Sequence, residues 1–414
     1  MKILLQTLGS RGDVQPFVAL GRVLTRRGHD VAISASAEFA PMIKTAGLRA
    51  NCLSISYEAL INTPEMKAAL GGFSGRMRAY RDMQEMMRRQ TQEMWEIGLA
   101  ERADLILYHP KGFLSPYLAR EIGAKAVPVF LQPGFAVTGT YPNFLLGTRD
   151  MGPALNRLSH RFLLGATRFG TGLLAKSWAK KAGVDLGAKL DPLGGYGAAG
   201  LRLHGFSPAL FPPPADWAAG NRTTGYFFAD PAPFDPPAEL SAFLDAGPPP
   251  IYAGFGSMPG MDPERQTRSV VEALKATGQR GIIATGWGGL SGDGAGPDIL
   301  VLKSAPHPWL FPRVRAAIHH GGSGTTHESL RWGKPTIICP LMGDQPFFGE
   351  MVARIGAGPK PIPQKRLTGE ALTVVVTQAL DPKVMAKAEQ IGQAIRAEPN
   401  GCDVAVDLIE SLAV

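Results

Sequence analysis

The chain has 414 residues, 45% of them hydrophobic, and a formal net charge of +8, enough apolar material for two ordinary domains with separate cores. The positive balance favours the approach of anionic substrates or anionic lipid head groups. A nucleic-acid partner is set aside, because no basic stretch interleaved with aromatics and no nucleic-acid motif accompanies the charge.

Met1 leads straight into the strand-like Ile3-Leu4-Leu5, a start expected to leave no room for a secretory leader. No apolar run of about 20 residues is present to span a bilayer. Cys52, Cys339 and Cys402 lie far apart, with no CxxC and no metal-ligand spacing, which points to a reducing compartment. The expected location is cytoplasmic, with peripheral membrane attachment left open.

The first forty residues read as strand (Lys2 to Thr7), glycine turn (Gly9-Ser10-Arg11-Gly12), helix (Phe17 to Arg27, closed by Gly28) and strand (Val31 to Ser34). Leu105 to Tyr108 and Ala126 to Leu131 are further strand candidates. This alternation predicts parallel strands covered by helices. Between residues 77 and 95, Met77, Tyr80, Met83, Met87 and Met94 fall at roughly helical spacing, the pattern of a core face or of a pliable apolar acceptor pocket. Residues 153–181 interleave Leu155, Leu158, Phe162, Ala166, Phe169 and Leu173 with six Lys and Arg. That segment reads first as an ordinary surface helix, and second as a basic amphipathic helix able to contact a membrane peripherally.

Prolines crowd residues 207–237 and are expected to break every regular element there, marking a linker and its flanks. The strand, turn, helix rhythm then restarts with Pro250 to Gly254, Gly281 to Thr285, Ile299 to Leu302, Ala316 to His319 and Thr336 to Cys339. The expected fold is α/β, two doubly wound Rossmann-like domains facing a cleft. The expected division is 1–206, 207–237 as linker and flanks, 238–390, and 391–414 as a helix packing back on the first domain.

Four segments carry chemistry. In Ile318-His319-His320-Gly321-Gly322-Ser323-Gly324-Thr325-Thr326-His327-Glu328, a strand ends and a helix begins, so glycines allow close backbone approach and free N–H groups face outward, a phosphate-binding geometry. Gly343-Asp344-Gln345-Pro346 places a carboxylate beside an amide after a strand, suited to adjacent sugar hydroxyls. Gly254-Phe255-Gly256-Ser257-Met258 offers a hydroxyl and backbone N–H groups to a distal phosphate. In Gly9-Ser10-Arg11-Gly12-Asp13, the carboxylate either caps the first helix or faces the cleft to take a proton from an acceptor hydroxyl. No GxGxxG occupies this turn, which weakens a dehydrogenase reading.

Together these segments resemble the inverting GT-B glycosyltransferases of the UDP-glycosyltransferase superfamily, particularly the sterol glucosyltransferases and the glycosyltransferases of glycopeptide antibiotics. The likeness spans nearly the whole chain and includes HPKGF at His109 to Phe113, GWGGL at Gly286 to Leu290, and the long segment from Ala305 to Gly349. The resemblance implies acceptor binding by residues 1–206 and nucleotide-sugar binding by 238–390. It implies Asp13 as catalytic base and His320, Gly322, Ser323, Gly324 and Thr325 as the diphosphate grip, with Ser257 as its partner. It implies Asp344 and Gln345 at the sugar and the segment around Ser304 to His307 at the base. Ser304 and His307 stand where plant relatives carry a stacking tryptophan and a glutamine. Arg11, His109 and Tyr141, with loops near 55–80 and 132–175, are expected to meet a lipophilic acceptor.

The implied activity is transfer of glucose or a related hexose from UDP-glucose, or from a dTDP-sugar, to a hydroxyl of a sterol or natural-product aglycone. No cofactor is expected, and the lack of an Asp-x-Asp predicts metal-independent action. Two other readings share the phosphate site: a catalytically inert nucleotide-binding partner protein, and a GT-B sugar epimerase.

Overall fold

The computed structural model describes the chain except residues 55, 57–72, 230–232, 257–261, 287–289, 292–295 and 414; the side chains of 73–84 and 413 also lie outside the described residues. Two all-parallel sheets organise it. The first contains β1 (Lys2–Gln6), β2 (Asp30–Ser36), β3 (Arg49–Leu53), β4 (Leu105–Tyr108), β5 (Lys125–Phe130), β6 (Arg202–His204) and β7 (Asn221–Thr223), in the order β3-β2-β1-β4-β5-β6-β7. The second contains β8 (Ile251–Gly254), β9 (Gly281–Ala284), β10 (Ile299–Leu302), β11 (Ala316–His319) and β12 (Thr336–Ile338), in the order β10-β9-β8-β11-β12.

Strands buried on both faces read as short apolar runs, and the central strands obey this: Ile3, Leu4, Leu5, Ile106, Ile251, Ala253 and Ile318 are all buried. The helix Arg11–Arg26 lays Val14, Phe17, Leu20, Val23 and Leu24 on the first sheet. That same core receives Cys402, Ala405, Val406 and Ile409 from the helix Gly401–Glu410, so the chain's last helix completes the domain that its first strand began. Arg27 donates to Asp407 at 2.8 Å and His29 Nε2 lies 3.1 Å from Glu410 Oε1, tying that helix at its surface edge.

Strand order decides where a site can form. Chain connections reverse direction beside β1, between its neighbours β2 and β4, and again beside β8, between β9 and β11. At such a switch point the loops leaving adjacent strands part and open a crevice at the carboxyl ends. In register, Gln6 pairs with Tyr108 and Gly254 with His319, so the helix start holding Asp13 and the loop holding His109 flank one crevice, and the loops holding Gly256 and His320 leave the other. The halves pack through an aromatic cluster in which Phe211 stacks on Phe347 with ring centroids 5.4 Å apart.

Two expectations need correction. β7 lies within 207–237, because Asn221-Arg222-Thr223 falls in a proline-free interval and pairs with β6. In the methionine-rich helix Phe73–Glu101, Met94 is buried against Leu8 and Leu53 whereas Met87 is exposed; Met77, Tyr80 and Met83 lie outside the described side chains.

Candidate active site

Asp13 caps the first helix. It is the third residue of its helix, and Oδ2 accepts from the backbone N–H of Ser10 at 2.8 Å and from Ser10 Oγ at 3.2 Å, the reciprocal half of a capping box. The same oxygen lies 3.1 Å from Lys111 Nζ, and Oδ1 lies 3.4 Å from His109 Nε2. Gly9 makes this possible: its φ is +126°, and a Cβ there would sit 2.2 Å from Asp13 Oδ2 and 2.4 Å from Lys111 Nζ. No other residue type leaves room for the ion pair across the loop.

Burial by itself raises the Asp13 pKa, but Lys111, His109 and the hydrogen bonds from Lys111 and Ser10 outweigh it and hold the carboxyl below its ordinary value. Burial pulls His109 down to about 4 against the attraction of Asp13, so the ring is neutral at pH 7. Its Nδ1 accepts from the Lys111 backbone N–H at 3.2 Å, which assigns the ring proton to Nε2, the nitrogen facing Asp13. His109 is thus almost fully enclosed, packed edge-on to Phe17, and touches the carboxylate. A small hollow lined by Met94, Trp95, Lys111, Phe113 and Leu118 adjoins the cluster.

Across the cleft, His320 sits in a slot that glycine creates. A Cβ on Gly256 would be 2.7 Å from His320 Cε1, and one on Gly322 would be 2.6 Å from its Nε2. Its Nδ1 is buried with no hydrogen-bond partner among the described residues. Burial lowers His320 to about 4, so it is a neutral imidazole with one proton to donate. The helix Ser323–Arg331 starts beside it. Gly322 is the cap and its carbonyl takes the Thr326 N–H at 3.0 Å, so the N–H groups of Ser323, Gly324 and Thr325 have no acceptor within the helix. The Ser323 hydroxyl is used elsewhere: it donates to the Leu131 carbonyl at 3.1 Å and clips the two domains together. Gly324 presses on Tyr226, whose hydroxyl would be 2.9 Å from a Cβ.

Asp344 and Gln345 open the helix Gln345–Arg354 on the same side. Gln345 Oε1 accepts from the backbone N–H groups of Leu341 at 2.7 Å and Met342 at 3.2 Å, shaping the loop around Asp344. Burial first, and then the Asp13 charge, push Asp344 up to about 6, partly opposed by a hydrogen bond from Gln132 and by Lys111. Gln132 and Leu131, just past β5, therefore bridge the cleft to the second domain.

The remaining candidates separate. His307 Nε2 lies 3.1 Å from the Tyr252 hydroxyl and its ring stacks on Phe311; burial, then the charges of Arg11 and His320, lower it to about 3. Arg11 thus reaches toward the second domain, while its Nε donates to Gln15 at 2.9 Å. Ser304 is exposed on the loop after β10. Tyr141 is buried in the interdomain aromatic cluster, against His160 and Phe347. Ser257 lies outside the described residues. Sequence reading gave Lys111 and Gln132 no role. Lys111 stands inside the HPKGF segment, but its partner is 98 residues away and only the pairing of β1 with β4 brings them together.

Comparison with known proteins places this geometry. Residues 3–107 match the glycosyltransferase family 28 N-terminal domain, and residues 294–411 match the erythromycin biosynthesis protein CIII-like C-terminal domain. The chain is 35% identical to the sterol 3-beta-glucosyltransferase UGT80A2 of Arabidopsis thaliana, aligning over 96% of itself but only 63% of that protein. It is 32% identical to a sterol 3-beta-glucosyltransferase of Pichia angusta, of which it spans 33%. It is 33% identical to the O-mycaminosyltylonolide 6-deoxyallosyltransferase of Streptomyces fradiae over its whole length and 98% of the relative. Among solved structures, the kitacinnamycin glycosyltransferase superposes with a TM-score of 0.69 at 18% identity, over 99% of this chain and 98% of that one. Glycosyltransferase VinC, solved with dTDP, superposes with a TM-score of 0.67 at 17% identity over 100% of both chains. The chain belongs to the GT-B glycosyltransferases of the UDP-glycosyltransferase superfamily, the group that holds both sterol glucosyltransferases and antibiotic glycosyltransferases.

Proposed function

We propose that this chain transfers glucose, or a closely related hexose, from a UDP- or dTDP-sugar to the hydroxyl of a lipophilic acceptor of the sterol or polycyclic natural-product class, with inversion to a β-glycoside. One observation carries the reading. A carboxylate at the first sheet's switch point and an imidazole with a helix start at the second's are joined across the cleft by the Gln132 contact to Asp344. The sterol relatives supply the acceptor class and the dTDP complex of VinC the alternative base.

In this reading the helix start at Ser323–Thr325 and the His320 N–H bind the diphosphate, Asp344 accepts from sugar hydroxyls, and Ser257 joins the phosphate grip. The acceptor oxygen attacks the anomeric carbon as the carbon–oxygen bond to the diphosphate breaks, and the acceptor's proton passes to Asp13. A carboxyl held below its ordinary pKa cannot ionise an alcohol in advance. Asp13 therefore accepts the proton late, once bond formation has acidified the hydroxyl. His109 and Lys111 hold the carboxylate ionised and oriented until then. No metal is needed in this scheme, because backbone N–H groups and His320 meet the developing charge.

The test is mass-spectrometric: purified protein, UDP-glucose or dTDP-glucose, and a panel of sterols and polycyclic aglycones, with and without EDTA. A hexose-sized mass gain on a sterol or aglycone supports the reading. Turnover of the sugar nucleotide to its epimer with no acceptor, or tight UDP binding with no transfer to any of the panel, sinks it.

A further inference from the structure

The helix Pro153–Ala182 has two apolar faces, and the fold uses one. Asn156, His160, Leu164, Ala175, Trp178 and Ala179 are buried against the first domain. Leu155, Leu158, Phe162, Phe169 and Leu173 are each more than half exposed. Steps of three and four residues, with the exposed Ala166 between, place these five on a single stripe. Of the fourteen large apolar side chains exposed among the described residues, nine lie between Leu145 and Leu174. Leu145 and Leu146 belong to a loop fastened beside the helix, where the Asn143 backbone N–H donates to Ser159 Oγ at 2.9 Å. A monomer surface seldom concentrates apolar side chains this way without an occupant.

Charge identifies the occupant. The helix contains six Lys and Arg and no Asp or Glu. Arg157 pairs with Asp216 at 2.9 Å and Arg168 with Asp191 at 3.0 Å, both outside the helix. Arg161, Lys176 and Lys180 are exposed and have no ion-pair partner among the described residues. Lys176 and Lys180 continue the steps of three and four beyond Leu173, so the apolar stripe runs directly into cations. A two-fold contact with a second copy would set this cation-only face against itself, which like charges oppose. A sheet of anionic head groups over an acyl interior matches both halves of the stripe: aromatic and leucine side chains below, lysine and arginine at head-group level.

We propose that the exposed stripe of this helix, from Leu155 to Lys180, seats the protein on the surface of an anionic lipid bilayer. The helix lies in the plane of the interface, with Phe162 and Phe169 inserted and Arg161, Lys176 and Lys180 against lipid phosphates. Its binding needs neither donor nor acceptor, so vesicles alone test it.

The experiment is co-sedimentation of the full chain with sucrose-loaded vesicles of phosphatidylcholine, with or without phosphatidylglycerol. Phe162→Ser/Phe169→Ser and Arg161→Ser/Lys176→Ser/Lys180→Ser are run alongside, with UDP binding verifying that each variant is folded. The expected result is binding to the phosphatidylglycerol vesicles that weakens with added salt and falls about tenfold in each variant. Absence of binding by the unaltered chain overturns the proposal, as do equal binding to both vesicle types and unchanged binding by the folded variants. So does light scattering that shows a dimer which the double phenylalanine variant dissociates, since the stripe then serves a second copy.

Discussion

Lys111 Nζ and Asp13 Oδ2 lie 3.1 Å apart, across a loop that only Gly9 leaves open. The carboxylate assigned the proton is thus clamped by a cation that is itself about half exposed, on a side chain free to withdraw. Removing the cation removes one of the two largest influences that offset burial at Asp13. Lys111→Met is therefore expected to raise the Asp13 pKa and move the acid limb of kcat/KM to higher pH. At pH 8, where Asp13 is ionised in both proteins, kcat should stay within about tenfold. A profile of kcat/KM against pH for both proteins measures the shift; an unmoved limb would assign it to another group.

The proposed scheme gives Asp13 a second duty beside its cap, and the two separate by substitution. Asparagine keeps an oxygen that can accept from the Ser10 N–H but cannot hold the proton. Asp13→Asn is expected to retain the cap and its melting temperature while losing roughly 10²- to 10⁴-fold in kcat. Asp13→Ala should lose the rate and also about 1 kcal/mol of stability with the cap. Calorimetric titration with UDP should give nearly unchanged affinity in both, because the nucleotide is assigned to the other domain. Wild-type turnover by Asp13→Asn would remove the base assignment.

The sequence made the second domain legible because each of its strands is a brief apolar run ending in glycine or a polar turn; Ala316 to His319 is one strand in the pattern and in the structure. β6 and β7, at three residues each, are too short to show periodicity and are defined only by pairing, β6 with β5 and β7 with β6. At the site, His320 stands out because histidines, glycines and hydroxyls crowd one strand-to-helix turn, whereas Asp13 has a capping reason to be there and is marked as a base by the resemblance alone. Lys111 and Gln132 do not stand out, since a lone lysine after a strand or glutamine before Pro133 carries no local signal. The Ser323 hydroxyl shows the opposite difficulty: its segment reads in sequence as a phosphate grip, yet its oxygen closes the domain interface at Leu131.

In the proposed scheme His320 needs its slot as much as its proton. His320→Ala removes a donor assigned to a charged diphosphate, and UDP affinity is expected to fall by about tenfold or more, with a lower rate besides. Gly256→Ala tests the slot without touching the ring. The residue has φ +73°, and the new Cβ would lie 2.7 Å from His320 Cε1, so the imidazole must move. The glycine variant should reproduce most of the histidine variant's loss in UDP binding at a stability cost of about 1–2 kcal/mol. Full UDP affinity in Gly256→Ala would show that the ring's position is immaterial.

In the proposed scheme Asp344 sets the acid side of donor binding. Burial, then the Asp13 charge, raise its pKa from 3.8 to about 6, so the free enzyme holds a carboxylate there above pH 6 and an acid below it. The acid keeps weaker acceptor capacity for sugar hydroxyls. The KM for UDP-glucose is therefore expected to rise severalfold between about pH 7.5 and 5.5. Unfolding does not mimic this. A carboxyl whose folded pKa is raised binds more protons folded than unfolded, so its own contribution to stability is present at low pH and is lost as pH climbs from about 4 through 6. Donor binding weakens on acidification across the range where this group favours the folded state. Asp344→Asn, which cannot ionise, should have a uniformly high KM and a flat profile over that interval. Initial-rate measurements of both proteins at several pH values, with melting temperatures recorded alongside, check the assignment, and an undiminished slope in Asp344→Asn would place the titrating group elsewhere.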